Sequence, residues 1–181
     1  KSKEFNFNDS LITSKKSYIL LHVNEDTILH NGMSLKYNFD VKKLTYFKGP
    51  KSGELGPFFD KEHNVQITAE KLEWSLDNKK IDFSMIYAGH MKAAQVESND
   101  FYTDGHFTRL KGLSRFHPLT VLMYYAKKKK TEVVFVSDLA KHSKQPERAL
   151  RGAMVNLSKK GFILYDKDEG KITILRKAKL Y

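Results

Sequence analysis

Cysteine is missing from this chain of 181 residues, which excludes disulfides, thiolate metal ligands and cysteine nucleophiles. That absence fits a cytosolic protein and equally an envelope protein without disulfides. No apolar run approaches the roughly 20 residues that a membrane-spanning helix needs, and Ile19-Leu20-Leu21 is far too short. No signal peptide is read. Because the sequence begins on Lys1 rather than Met, a processed protein or a piece of a longer one is expected, and the compartment stays open. The histidines show neither His-x-His nor His-Glu-x-x-His spacing, and no nucleophile elbow or catalytic carboxylate pair is found. Glu70, Glu73 and Asp77 are close in sequence, but alternate positions of a strand face opposite sides, and solvated charge accounts for them. An enzyme is therefore not expected.

What is present is the composition of an ordinary globular protein, 40% hydrophobic and 29% charged. Its charge is unevenly placed. Residues 1–112 carry 16 Lys+Arg against 15 Asp+Glu, whereas residues 113–181 carry 16 against 6, a net of +10. Two domains are expected with that boundary, 1–112 and 113–181.

The first is β in character, with aromatic and β-branched runs punctuated by Gly, Asn and Asp. A repeat runs through it. Leu35-Lys-Tyr-Asn-Phe-Asp-Val-Lys-Lys-Leu-Thr-Tyr aligns with Leu72-Glu-Trp-Ser-Leu-Asp-Asn-Lys-Lys-Ile-Asp-Phe at an offset of 37 residues. Apolar and polar residues alternate on each side of Asp-x-Lys-Lys, so each copy predicts a hairpin, over about 35–47 and 72–84. Asp77-Asn78 suits a turn with positive φ, and Val41 suits it less well. Two such hairpins point to a meandering antiparallel sheet or a small solenoid, unless their likeness is chance. Gly49 to Pro57 has the glycines of a phosphate loop but lacks the Gly-Lys-Ser/Thr that leads into a helix, so it reads as a loop between strands. Tyr87 to Val96 has no clear pattern. Glu97 to Leu113 suggests one more strand and a turn at Asp104-Gly105. Asp100, Asp104 and His106 form a small cluster there, for which turn chemistry is a better account than a metal. No metal and no cofactor are expected.

From Pro118 onward the pattern becomes helical. Pro118 suits a helix start, and Leu119, Leu122, Met123 and Ala126 share one face. Lys127 to Lys130 then close the helix at the negative end of its dipole. Thr131 to Val136 reads as a strand, Ser137 as the cap of a second helix, and Pro146 as the first position of a third that ends before Gly161. Phe162 to Tyr165 and Lys171 to Leu175 follow as strands. The order helix, strand, helix, helix, strand, turn, strand resembles the winged helix-turn-helix family. Leu139-Ala140, Leu150, Leu157 and Lys160-Gly161-Phe162-Ile163 match that family's core and strand-start pattern. The expected fold class is thus α+β, a β-hairpin-repeat region followed by a winged-helix domain.

That resemblance implies a basic module contacting nucleic acid through its third helix, whose buried stripe is Leu150, Ala153, Met154 and Leu157. Gln145, Arg148 and Arg151 would then contact bases, and Lys141, Lys144, Lys159, Lys160, Lys167 and Lys171 would contact phosphates. Asp166, Asp168 and Glu169 oppose this, because they would repel phosphate at the wing. The whole chain also loosely resembles the C-terminal part of large uncharacterised bacterial β-repeat proteins, through Leu72-Glu-Trp-Ser-Leu-Asp and Lys160 to Asp166. That second resemblance implies a structural or assembly segment whose partners are proteins or the remainder of a longer chain. The two implied settings differ: cytoplasmic for a DNA-binding protein, the cell envelope for a scaffold.

Overall fold

Alternating apolar and polar residues make strands of most of the first half of the chain. These are β1 (Asn6–Phe7), β2 (Leu11–Val23), β3 (Asp26–Asn38), β4 (Lys43–Phe47), β5 (Phe58–Asp60), β6 (Val65–Thr68), β7 (Lys71–Ser75), β8 (Ile81–Tyr87), β9 (His90–Ala93) and β10 (Gln95–Ser98). The computed structural model describes residues 1–23, 25–48, 56–78, 80–87, 90–112 and 115–181. It divides into two units, Lys1–Ser98 and Asn99–Tyr181. Most of the loop expected at Gly49 to Pro57 lies outside the described residues.

The ten strands form one antiparallel sheet ordered β10-β6-β5-β3-β4-β7-β8-β9, with β2 along the other side of β3 and β1 beyond it. Strand β3 pairs with β5 at Ile28 and Leu29, and with β4 from Ser34 to Asn38. It changes partner around Gly32, whose φ of 127° lies in the region that favours glycine. The β2–β3 register also shifts there, between Ser14, Ser17 and Ile19. Strands β9 and β10 end the two branches and are separated in the chain by Ala94 alone. The path therefore runs back on itself, and the sheet nearly closes into a barrel.

Both hairpins predicted from the repeat form, as β3–β4 and β7–β8, and they lie side by side through β4–β7 pairing. The register gives the repeat a physical meaning. Leu35, Tyr46, Leu72 and Phe83 stand opposite one another across four strands, and so do Tyr37, Leu44, Trp74 and Ile81. Corresponding positions of the two copies thus share one apolar ladder, and all eight belong to or pack against the core of Ile19, Leu21, Ile28, Met33, Phe58 and Ile67. Cross-strand pairs of this kind contribute about 0.2–1 kcal/mol each. The positive φ falls at Lys42 and not at Asp77 or Asn78. Lys42 O accepts the Leu76 N–H at 3.1 Å, and its Nζ reaches Asp77 at 3.2 Å, tying one turn to the next. No solenoid results, because the ring leaves the stack no free direction of growth.

The second unit contains α1 (Asp104–Leu110), α2 (Pro118–Lys129), β11 (Val133–Phe135), α3 (Val136–Ser143), α4 (Glu147–Lys159), β12 (Ile163–Asp166), β13 (Lys171–Ile174) and α5 (Arg176–Leu180). Its core joins Leu119, Leu122 and Ala126 of α2, Leu139 of α3, the α4 stripe Leu150, Ala153, Met154 and Leu157, and Ile163, Tyr165, Ile172 and Ile174. Gly161, at φ 75°, ends α4 as expected, with the Phe162 N–H bonded back to Leu157 O at 3.0 Å.

Four expectations are corrected. The fold class is not a hairpin-repeat region feeding a winged-helix domain. The chain is dominated by the nearly closed antiparallel sheet, with 43% strand and 27% helix, and its second unit has only a three-stranded sheet, β11-β13-β12. The winged-helix assignment does not stand, although individual helices and strands fall where periodicity put them. That order ended on a strand, whereas here α1 precedes α2, α5 follows β13 with Ala178 and Lys177 buried, and the β12–β13 hairpin is short. Locally, Ser137 does not cap the second helix, which starts from Phe135 without a side-chain cap, and Asp104-Gly105 opens a helix rather than making a turn.

Candidate nucleic-acid and partner interface

A groove in the second unit brings together more unpaired cations than its immediate sequence suggests. Its floor is apolar, made by Leu110, Phe116, Pro118 and Ala153, and Ala149 and Gly152 give one wall with little side-chain bulk. Arg109, Lys111, Arg115 and Lys160 stand around it with Gln145 and Asn156, in a volume of about 860 Å³. Among the described residues no carboxylate lines it. All four cations are exposed, and among the described residues none of them has an ion-pair partner.

The groove is built by how α1 meets α2. Thr103 caps α1 by accepting the His106 N–H at 3.2 Å. His117 then links the helices: its Nε2–H donates to Phe107 O at 2.9 Å, its Nδ1 accepts the Thr120 N–H at 3.3 Å, and its ring stacks on Phe107. This places Arg109 in the last turn of α1 and Arg115 just before α2, facing the outer side of α4. A Cβ on Gly152 would meet nothing within 4 Å, so the wall stays open there.

Of the nine residues expected to contact nucleic acid, Gln145 and Lys160 line this groove. Arg148, Lys141, Lys144 and Lys159 are exposed outside it, and Lys167 and Lys171 are half-buried on the β12–β13 hairpin. Arg151 is engaged within the unit. Its guanidinium pairs with Glu147 at 2.8 Å and donates to Lys167 O at 3.2 Å, holding α4 to the turn that follows β12. The hydrogen bond that Arg151 donates to Glu147 raises its pKa above the ordinary value, and burial raises that of the Tyr165 hydroxyl beside it. A DNA-binding role argued from a winged helix loses that support with the fold; of the three expected base contacts, Arg151 is engaged within the unit, Arg148 is exposed and Gln145 lines the groove. Arg151→Ala is expected to lower the thermal midpoint of this unit by about 5 °C, or roughly 1 kcal/mol for a half-exposed clamp; circular dichroism melting checks it.

Sequence reasoning missed Arg109, Lys111 and Arg115, which fall before the Pro118 helix, where one more strand and a turn were all that was expected. Their one signal was cation spacing just before the Pro118 helix, on a stretch otherwise rich in polar residues. The cluster of Asp100, Asp104 and His106 does not converge: Asp100 pairs with Arg176 at 3.4 Å, Asp104 accepts the Tyr102 hydroxyl, and His106 packs edge-on to Phe101. Glu70, Glu73 and Asp77 each pair with a lysine, Lys48, Lys43 and Lys42 respectively. Among the described residues no helix is long and apolar enough to cross a membrane.

No protein-family model matches the chain, and no curated protein or solved structure matches it. The resemblances to winged-helix proteins and to large bacterial β-repeat proteins therefore find no support.

Proposed function

We propose that this chain is a non-enzymatic binding module whose groove between α1 and α4 takes an acidic, partly apolar segment of a protein partner. The observation that carries this is the set of four unpaired cations around an apolar floor, with no carboxylate among them. Cations in a concave site attract and orient an anionic segment, while burial of Leu or Phe against Leu110, Phe116, Pro118 and Ala153 supplies the non-polar part of the affinity. A protein fits better than a phosphate backbone. Phosphates favour an open basic track, whereas the lysines outside the groove are scattered and the nearby β12–β13 turn carries Asp168 and Glu169, both exposed. Assembly rather than catalysis also suits the ion-paired state of the carboxylates Glu70, Glu73 and Asp77.

The test is a fluorescence anisotropy titration of the full chain with a labelled short peptide alternating Glu and Leu. Binding with Kd on the order of 10 μM at low salt, weakening as salt rises, is expected. An equally charged peptide with Ser in place of Leu should bind more weakly. Failure of the Glu-Leu peptide to bind at low salt, or tighter binding of duplex DNA at the same ionic strength, would contradict the proposal.

A further inference from the structure

One end of the sheet in the first unit gathers three metal-capable side chains, two of them three residues apart and the third from a different strand. Asp26 opens β3, Asp60 ends β5, and His63 lies in the turn between β5 and β6. The fold fixes them together. Ile28 pairs with Asp60 across β3–β5, the Lys61 N–H bonds to Thr27 O at 3.0 Å, and Asn64 takes a left-handed conformation at φ 53° that returns the chain into β6. One oxygen of each carboxylate is committed to the backbone: Asp26 Oδ1 accepts the Thr27 N–H at 2.7 Å, and Asp60 Oδ1 accepts the His63 N–H at 2.9 Å. The other oxygens turn to a common point. His63 Nδ1 lies 2.9 Å from Asp60 Oδ2 and 3.7 Å from Asp26 Oδ2, and all three ligand atoms fall within 4.8 Å of one another.

Charge makes this arrangement unlike an ordinary polar turn. Two carboxylates face each other, the Asp60 side chain only 10% exposed, and among the described residues neither has a Lys or Arg partner. The side chain that faces both of them is the His63 imidazole, whose Nδ1 is turned to the two Oδ2 atoms. Donor atoms bound to a tetrahedral metal at about 2.0–2.1 Å stand about 3.3 Å apart, close to the two separations to His63. A metal would replace the Nδ1 proton between imidazole and carboxylate and add the missing positive charge.

We propose that Asp26, Asp60 and His63 bind a divalent transition-metal ion of the zinc class, through Asp26 Oδ2, Asp60 Oδ2 and His63 Nδ1. The imidazole donor selects zinc over calcium or magnesium, which prefer all-oxygen sets. Three protein ligands leave a coordination position for water or a partner's side chain. The backbone bonds to Asp26 Oδ1 and Asp60 Oδ1 orient the ligands as outer-shell partners do in established sites. The site belongs to the first unit and is independent of the groove in the second.

Isothermal titration calorimetry of zinc chloride into the metal-stripped full chain tests it. One saturable site is expected, with proton release on binding. His63→Ala and Asp26→Asn should each weaken it at least tenfold; both side chains are accessible enough to change without emptying the core, and circular dichroism confirms that the variants fold. His90→Ala, which alters an exposed histidine elsewhere, should leave binding unchanged. Absence of saturable binding, retention of affinity in both site variants, or loss in His90→Ala would overturn the assignment. So would tighter binding of magnesium or calcium than of zinc.

Discussion

Acidification from pH 7 to pH 4 is expected to destabilise the first unit by about 3 kcal/mol through one side chain, His30. His30 lies in β3 with 3% of its surface exposed, packed against Phe58 with ring centroids 4.7 Å apart. Its Nε2–H donates to Gly56 O at 2.8 Å, and its Nδ1 is buried with no hydrogen-bond partner among the described residues. A second proton would place an uncompensated charge in the core. Burial therefore lowers its pKa from 6.5 to about 4, the bond to Gly56 opposing this only in part. The sign follows directly. The unfolded chain takes up the proton near pH 6.5, the folded chain only near pH 4, so the contribution is full above 6.5 and is lost as pH falls through that window. Urea unfolding at pH 7, 6, 5 and 4, followed by fluorescence of Trp74, the single tryptophan, measures it. His30→Leu should flatten the dependence between pH 6.5 and 4. An equally steep loss in the variant would place the acid sensitivity elsewhere.

The second large effect concerns the groove. Arg115→Glu combined with Lys160→Glu removes two attractions for an acidic segment and adds two repulsions. At roughly 0.5 kcal/mol for each such interaction at a partly exposed site, the sum is about 2 kcal/mol, or about thirtyfold in Kd for the Glu-Leu peptide. Both side chains are exposed and unpaired, so stability should change little. Lys128→Glu with Lys129→Glu makes the same change in net charge on exposed residues outside the groove, and should weaken binding only slightly. Equal losses in the two double variants would mean that the peptide senses net charge rather than this groove.

The parts of the structure that were legible are those whose determinants are local. Helix α4 follows from the spacing of Leu150, Ala153, Met154 and Leu157 together with the stop at Gly161, and the two hairpins follow from alternation around Asp-x-Lys-Lys. Ring closure was not legible. It depends on β9 and β10 finding β8 and β6, and the residues His90 to Ser98 are mostly polar and exposed, with almost none of the apolar alternation that marked the other strands. The winged-helix assignment failed differently. A correct order of local elements was taken as a family pattern, while the outer face of the third helix was assumed free; Arg151 is instead held by Glu147 and Lys167. Asp60 and His63 stand three residues apart, but it is strand pairing and not spacing that brings Asp26 to them.

Hydrogen–deuterium exchange of the full chain, with and without saturating Glu-Leu peptide, tests the binding proposal at the level of residues. Slower exchange confined to residues 104–112, 115–120 and 145–156, the segments around the groove, is the predicted result. Protection that maps instead to the strands of residues 1–98, or none at saturation, would contradict it.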